Sequence, residues 1–299
     1  RSSDLSTTPA GATLTPTATP TVGPAPTSGA LGTWTSVSSP TNVTLRSLSI
    51  VDATHTWAVG DGGVILFHNG TSWIPQSSGT SERLNSISMI SATDGWAVGD
   101  NYTFLRWNGA TWQKYYDDLW AVLPQQRTVM SVDMLKGPSS RSGWFGGAAV
   151  AHEGGFFYFD RTNNPWRTAA ASSWNSDNGH GPNAVSLAPD GSWGTIVCDG
   201  GGLYDLQFDN TGTPYWRDLG LIGLNNTYGL HVIADPTGVR APYYGWYVGL
   251  TSDFAFYQTG APPNDRGCNE GAGTRTSPCW ATAISGLFNA ANTYYRSVY

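Results

Sequence analysis

Lysine is almost missing from this chain: of 299 residues only Lys114 and Lys136 are lysines, and all charged residues together make up 12%. With 15 basic side chains against 21 acidic ones, the chain has no electrostatic footprint for nucleic acid or an anionic membrane. No window approaches the roughly 18 apolar residues of a membrane-spanning helix. Nucleophile elbows, phosphate loops and dinucleotide fingerprints do not occur. His55, His68, His152, His180 and His231 stand singly, without metal-ligand spacing, so neither a metal nor a cofactor is expected. The turns CDGGG (198–202) and PDGS (189–192) lack the several oxygen ligands that calcium needs and are expected to be structural. What is abundant is glycine, 37 residues, with 18 prolines, which argues for many turns and against long helices. At 39% apolar and 13% aromatic, the chain has material for a core, and an all-β protein is the first expectation.

The order in that composition is a repeat. Trp57 and Trp96 are 39 residues apart, and Trp34, Trp73 and Trp112 are spaced by the same 39. The clearest copies are LRSLSIVDATHTWAVGDGGVILFHNGTSW (45–73) and LNSISMISATDGWAVGDNYTFLRWNGATW (84–112). Looser copies span 129–166, 183–216 and 230–280, giving five. A period near 40 built from short alternating strands is the signature of a β-propeller of four-stranded blades. In each blade a stretch like LRSLSIV gives the first strand, TWAVGD the second, VILFHNG the third and a Trp-led segment the fourth. The Asn-Gly pairs at 69–70 and 108–109 fit tight turns that need positive φ. The doubled WAVGD is read as architecture: Trp packs between blades, Gly lets the chain pass closely, and Asp61 and Asp100 turn it rather than catalyse. TWTSV (33–37) matches a fourth strand and YYRSVY (294–299) a first strand, so a further, incomplete blade is expected, finished by a longer chain or another subunit.

The repeat W-A-V-G-D…N-G-x-x-W resembles that of the photosystem II stability/assembly factor family and, more distantly, sialidase-type BNR repeats. The resemblance covers about 33–299 and implies a propeller. It does not extend to sialidase chemistry, because FHNGTSW and RWNGATW keep the turn and Trp of an Asp-box without its Ser and Asp.

Residues 1–32 read as a separate Thr/Pro-rich tail, with 33–299 as the propeller. Segment 7–29 is nearly all Thr, Pro, Ala, Gly and Ser, too poor in apolar surface to fold alone; it suits an extended stalk, either bare or O-glycosylated at residues such as Thr15, Thr17, Thr19 and Thr21. Asn42, Asn101 and Asn225 head sequons for N-glycosylation. Cys268 and Cys279 enclose a Gly-rich loop that a disulfide would staple, which would place the protein outside the cytoplasm; the alternative is two loop thiols. Cys198 sits in an apolar strand as a small hydrophobe. The chain starts at Arg1 without a signal segment, so a secretion signal is expected to have been removed or to lie outside it.

The links between blades should share one face. Trp120, Arg127, Trp174, His180 and Tyr228 fall on or beside them, as anchors for a protein or sugar or as plugs over the central channel. Paired carboxylates are the only route to a glycosidase; Asp117 and Asp118 are adjacent on a link, whereas a glycosidase pair must face each other across the scissile bond at roughly 5–10 Å. The expected function is therefore a non-enzymatic, extracellular or surface propeller serving as a structural or interaction module. Its expected partners are other copies of itself, another surface protein or glycans; a lectin and a glycoside hydrolase are the alternatives.

Overall fold

The computed structural model describes residues 38–115, 127–152, 155–163, 166–171, 181–221, 227–234, 243–249, 254–258 and 279–282, with Leu221, Thr227, Tyr228 and the segments after Val232 as backbone. The chain divides into two units, Arg1–Ser38 and Ser39–Tyr299, and the sheets belong to the second. Blade one comprises β1 (Leu45–Asp52), β2 (His55–Gly60), β3 (Ile65–His68) and β4 (Trp73–Gln76). Blade two comprises β5 (Leu84–Ser91), β6 (Asp94–Gly99), β7 (Thr103–Trp107) and β8 (Trp112–Lys114). Blade three has β9 (Val129–Met134), β10 (Phe145–Ala151), β11 (Gly155–Asp160) and β12 (Trp166–Thr168). A two-residue strand, β13 (Ala170–Ala171), follows it. Blade four has β14 (Pro182–Leu187), β15 (Gly194–Cys198), β16 (Gly202–Phe208) and β17 (Pro214–Leu221). Blade five has β18 (Thr227–Ala234), β19 (Tyr243–Gly249), β20 (Phe254–Gln258) and β21 (Cys279–Thr282). Each blade is an antiparallel meander in chain order, and blade four gains a fifth strand because β13, from the preceding link, adds parallel to β17. Among the described residues these are the five four-stranded blades of the β-propeller expected from the repeat; segments 33–37 and 294–299, expected to belong to a further blade, lie outside the described residues.

Local chemistry explains the turns, with one correction. In both Asn-Gly loops the connection is four residues long, from His68 opposite Trp73 and from Trp107 opposite Trp112. Gly70 and Gly109 take φ of 90° and 91°. The asparagines do not share the positive φ of a two-residue turn; their side chains act instead. Asn69 Oδ1 accepts from the N–H groups of Thr71 and Ser72, and Asn108 Oδ1 from those of Ala110 and Thr111. The glycine of WAVGD is required by close approach: a Cβ on Gly60 would lie 2.1 Å from the Thr44 carbonyl oxygen, and one on Gly99 1.9 Å from that of Arg83.

Among the described residues, four apolar cores lie between blades. Trp57 (1% exposed) and Trp96 (0%) each project into the next blade, among Ile87, Met89 and Trp112 in the first case and Val132, Met134 and Trp166 in the second. Aromatic side chains from both sides also fill the third core, with Phe145 and Tyr158 against Ile196 and Trp216. Cys198, 1% exposed in β15, is a buried hydrophobe there, and its burial pushes the thiol pKa well up.

The first strands of successive blades are joined by side-chain rungs. Ser47 and Ser49 accept hydrogen bonds from Ile87 N and Met89 N at 3.2 and 3.0 Å. Ser86 and Ser88 accept from Val132 N and Met134 N at 3.2 and 3.0 Å. Ser131 and Asp133 accept from Val185 N and Leu187 N at 3.2 and 2.8 Å, and Ser186 from Val232 N at 3.0 Å. The alternating serines of LRSLSI thus do for neighbouring blades what backbone carbonyls do within a sheet.

Candidate functional site

Each first strand begins with the same irregularity. The register shifts between Leu45 and Ser47, Leu84 and Ser86, Val129 and Ser131, Pro182 and Ala184, and Thr227 and Gly229. Arg46, Asn85, Met130, Asn183 and Tyr228 are the extra residues, one bulge per blade. Bulges re-aim a side chain and recur next to functional sites. These five stand at one rim, where the second strand ends and the next link arrives.

The partners of the bulged residues come from the position after WAVG. Its N–H ties the end of the second strand to the residue before the first: Asp61 to the Thr44 carbonyl at 3.0 Å, Asp100 to Arg83 at 2.9 Å, His152 to Thr128 at 2.9 Å and Asp199 to Gly181 at 3.0 Å. Side chains then close the rim. Arg46 Nε donates to Asp61 Oδ1 at 2.5 Å, and this hydrogen bond, reinforced by the charges of Arg46 and Arg83, holds the Asp61 carboxyl below the usual range. Arg83 donates to Asp100 at 2.9 Å. Asn85 Nδ2 bridges Asp100 Oδ1 at 3.2 Å and the Val129 carbonyl of the next blade at 3.1 Å. On blade four, Asn183 Nδ2 donates to Asp199 Oδ1 at 2.6 Å, and His152 Nε2 lies 3.3 Å from Asp199 Oδ2.

One turn at the rim breaks the pattern. Blade one uses Gly62 and Gly63 at φ of 66° and 72°, whereas blade two places Asn101 and Tyr102 there at 53° and 50°. Left-handed backbone at a tyrosine is costly and is kept only where the surroundings impose it. Tyr102 N donates to the Arg127 carbonyl at 3.0 Å, and its ring meets Phe157 of blade three edge-on at 6.3 Å.

Of the residues singled out from the sequence, Arg127 is therefore at this rim through its backbone. Tyr228 is not in a link, as expected, but in β18 at the bulge equivalent to Arg46. The link it was assigned to is correspondingly shorter, since β17 runs to Leu221. Trp120, Trp174, His180, Asn225, Asp117, Asp118 and the tail threonines lie outside the described residues. So does Cys268; Cys279 opens β21. Asn42 and Asn101 are exposed. The sequence reading gave no site role to Arg46, Arg83, Asn85, His152, Asn183 or Asp199. The signal that finds them is the repeat register, which sets His152 and Asp199 beside Asp61 and Asp100.

The rim offers guanidinium, carboxylate, amide and imidazole groups already paired to one another, an arrangement that suits recognition of polar and charged polypeptide groups. Asp61, held ionised by Arg46, is a poor proton donor near neutrality. Among the described residues no group of three or more His, Cys, Asp or Glu side chains could hold a metal ion.

No family model matches the chain, and no curated protein matches it by sequence. Solved structures do. A structure described as YCF48 bound to D1 peptide superposes with a TM-score of 0.55 at 18% identity, over 79% of this chain and 68% of that one. The chain has the fold of YCF48. That protein is a photosystem II assembly factor and a β-propeller, in line with the resemblance in the repeats, and at this identity the likeness establishes the fold. The β-propeller domain of Cps50 (Swd1) from Myceliophteria thermophila matches with a TM-score of 0.52 at 11% identity, over 77% of this chain and 68% of that one. YCF48 from Cyanidioschyzon merolae has a TM-score of 0.48 at 17% identity, over 75% and 68%. YCF48 and Swd1 are non-enzymatic propellers.

Proposed function

We propose that this protein is a non-enzymatic interaction propeller that binds a polypeptide segment at the rim of its channel. The observation that carries the reading is the repeated bulge, which sets one residue per blade, Arg46, Asn85, Met130, Asn183 and Tyr228, at one rim. The peptide in the YCF48 structure shows that a propeller of this fold accommodates such a ligand. The protein works outside the cell or at its surface, in an assembly where the Thr/Pro tail touches a neighbour or carries glycans.

The test is capture from a peptide array by the full chain, followed by titration of the best binders. Arg46→Ala combined with Asn183→Ala is expected to weaken binding about tenfold or more; because both side chains also hold rim aspartates, near-UV circular dichroism matching the wild type is required to show that the variant is folded. Binders indifferent to both substitutions would refute the rim as the site. Intact mass and light scattering on protein from its native source test the second part: a bare monomer of 31.9 kDa would refute the glycosylated or assembled form.

A further inference from the structure

The Asn-Gly turns of blades one and two are twins in backbone and differ in one neighbour. Gly70 and Gly109 take φ of 90° and 91°. Asn69 N and Asn108 N donate across their loops to the Ser72 and Thr111 carbonyls, both at 3.3 Å. Asn69 Oδ1 accepts from Thr71 N and Ser72 N at 3.0 Å each, and Asn108 Oδ1 from Ala110 N and Thr111 N at 3.0 and 2.9 Å. Residues 69–72 and 108–111 are all exposed. Both turns lie at the end of the blade away from the rim, where His68 pairs with Thr56 and Trp107 with Gly95.

The neighbour is the residue before the asparagine. In blade one it is His68, half-buried and tilted against Trp73 with ring centroids 4.9 Å apart. Its Nδ1 accepts the Gly70 N–H at 3.2 Å. A neutral imidazole that accepts at Nδ1 carries its own proton on Nε2. In blade two the neighbour is Trp107, whose ring nitrogen can only donate and does so to the Ala92 carbonyl at 3.0 Å.

Three chemical parts therefore surround the Asn69 amide. Gly70 N is the adjacent nucleophile along the chain, with no side chain in its way. His68 Nδ1 is within reach of the proton that this nitrogen must lose. The Thr71 and Ser72 N–H groups already hold Oδ1, where negative charge develops when Cγ is attacked.

We propose that Asn69-Gly70 is a self-modification site of the folded protein, with His68 as the base for loss of the Asn69 amide. Gly70 N bonds to Asn69 Cγ while its proton passes to His68 Nδ1. The Cγ–Nδ2 bond then breaks, and Nδ2 leaves as ammonia with that proton. Water opens the resulting succinimide at either carbonyl, giving aspartate or isoaspartate at position 69. In sum, an amide and water become a carboxyl and ammonia; no electrons change hands, and His68 is regenerated. The product adds a negative charge to a chain whose net charge is already -6, so the β3–β4 turn changes with the age of the molecule. The site is independent of the rim and of what binds there.

The test is storage of the full folded chain at neutral pH, followed by trypsin digestion. Cleavage places the two asparagines in peptides 47–83 and 107–114, in which mass spectrometry reads amide loss and chromatography resolves isoaspartate. Asn69 is expected to lose its amide about tenfold or more faster than Asn108 in the folded protein, and at a similar rate to Asn108 in urea. His68→Phe, which keeps a ring against Trp73, should slow Asn69 to the Asn108 rate, with near-UV circular dichroism matching the wild type. A histidine that only braces the turn predicts the opposite, because releasing the Gly70 N–H loosens the loop and speeds attack. Equal loss at the two sites in the folded protein overturns the proposal. So does an Asn69 amide that persists in the fold and is lost only in urea, or a His68→Phe variant that reacts as fast as the wild type or faster.

Discussion

Asp133 gives the sharpest test of how the blades are joined. Where blades one and two carry Ser49 and Ser88, blade three carries an aspartate whose Oδ2 accepts the Leu187 N–H at 2.8 Å. Burial between first strands pushes its pKa from 3.8 up to about 6, against hydrogen bonds from Leu187, Ser186, Met134 and Ser88 that pull it down. A carboxyl whose folded pKa is raised favours the fold fully below its unfolded value and loses that contribution as pH rises through the folded value. The wild type should therefore lose stability between about pH 4 and pH 7 on this group's account, by up to about 3 kcal/mol. That figure is an upper limit, because the residue keeps part of its surface and solvent screens it. Asp133→Ser restores the rung used by the other blades. Ser131 spans the same pair of strands to Val185 N at 3.2 Å, so a serine reaches. At pH 8 the variant should melt higher, by about 2–4 °C for each kcal/mol recovered. Below pH 4 the advantage should vanish. Asp52, Asp61 and Asp209, whose pKa values are lowered, destabilise the fold as pH falls, but they are common to both proteins and cancel in the difference. The assay is urea and thermal unfolding of both proteins at pH 4 to 8. Parallel stability curves, or a variant less stable at pH 8, would refute the reasoning.

Other substitutions probe other joints. Gly99→Ala forces a Cβ onto the Arg83 carbonyl and should cost about 2 kcal/mol or more in urea unfolding, with Gly60→Ala behaving alike. Trp96→Ala empties the core between blades two and three and should cost about 3–5 kcal/mol, measured the same way. Ser86→Ala leaves Val132 N without the rung that holds it and should cost about 1–3 kcal/mol, with faster amide exchange at Val132. Cys198, buried and with its thiol pKa raised, should resist iodoacetamide at pH 8 in the folded protein and react once it is unfolded.

Strand order, blade length and the roles of Trp57, Trp96 and the WAVGD glycine were legible because they follow from period, alternation and one steric rule. Blade three shows where that legibility ends. Trp144 looks like the repeat's tryptophan, yet the register sets Ala148 opposite Asp133, where Trp57 stands opposite Ser49 and Trp96 opposite Ser88. The longer connection between β9 and β10 shifts the apparent match, and Trp144 instead packs at a tilt against Tyr158, ring centroids 5.7 Å apart. Letter similarity follows chain spacing, whereas packing follows hydrogen-bond register, and an insertion separates the two.

The rim was hidden for a related reason. Arg46, Asn85, Asn183 and Tyr228 differ in chemistry, so no motif joins them; what they share is an extra residue in a strand, which alternation alone reads as a normal position. The inter-blade rungs constrain Ser47, Ser86 and Ser131 to face the next blade, and the close approach at Gly60 and Gly99 fixes where the second strand ends. Between those two constraints the bulged residue drops out of the ladder register. Its side chain follows no shared motif: Arg46 meets Asp61, Asn85 bridges Asp100 and the Val129 carbonyl, and Asn183 meets Asp199, each an interaction that a change of residue would have to replace.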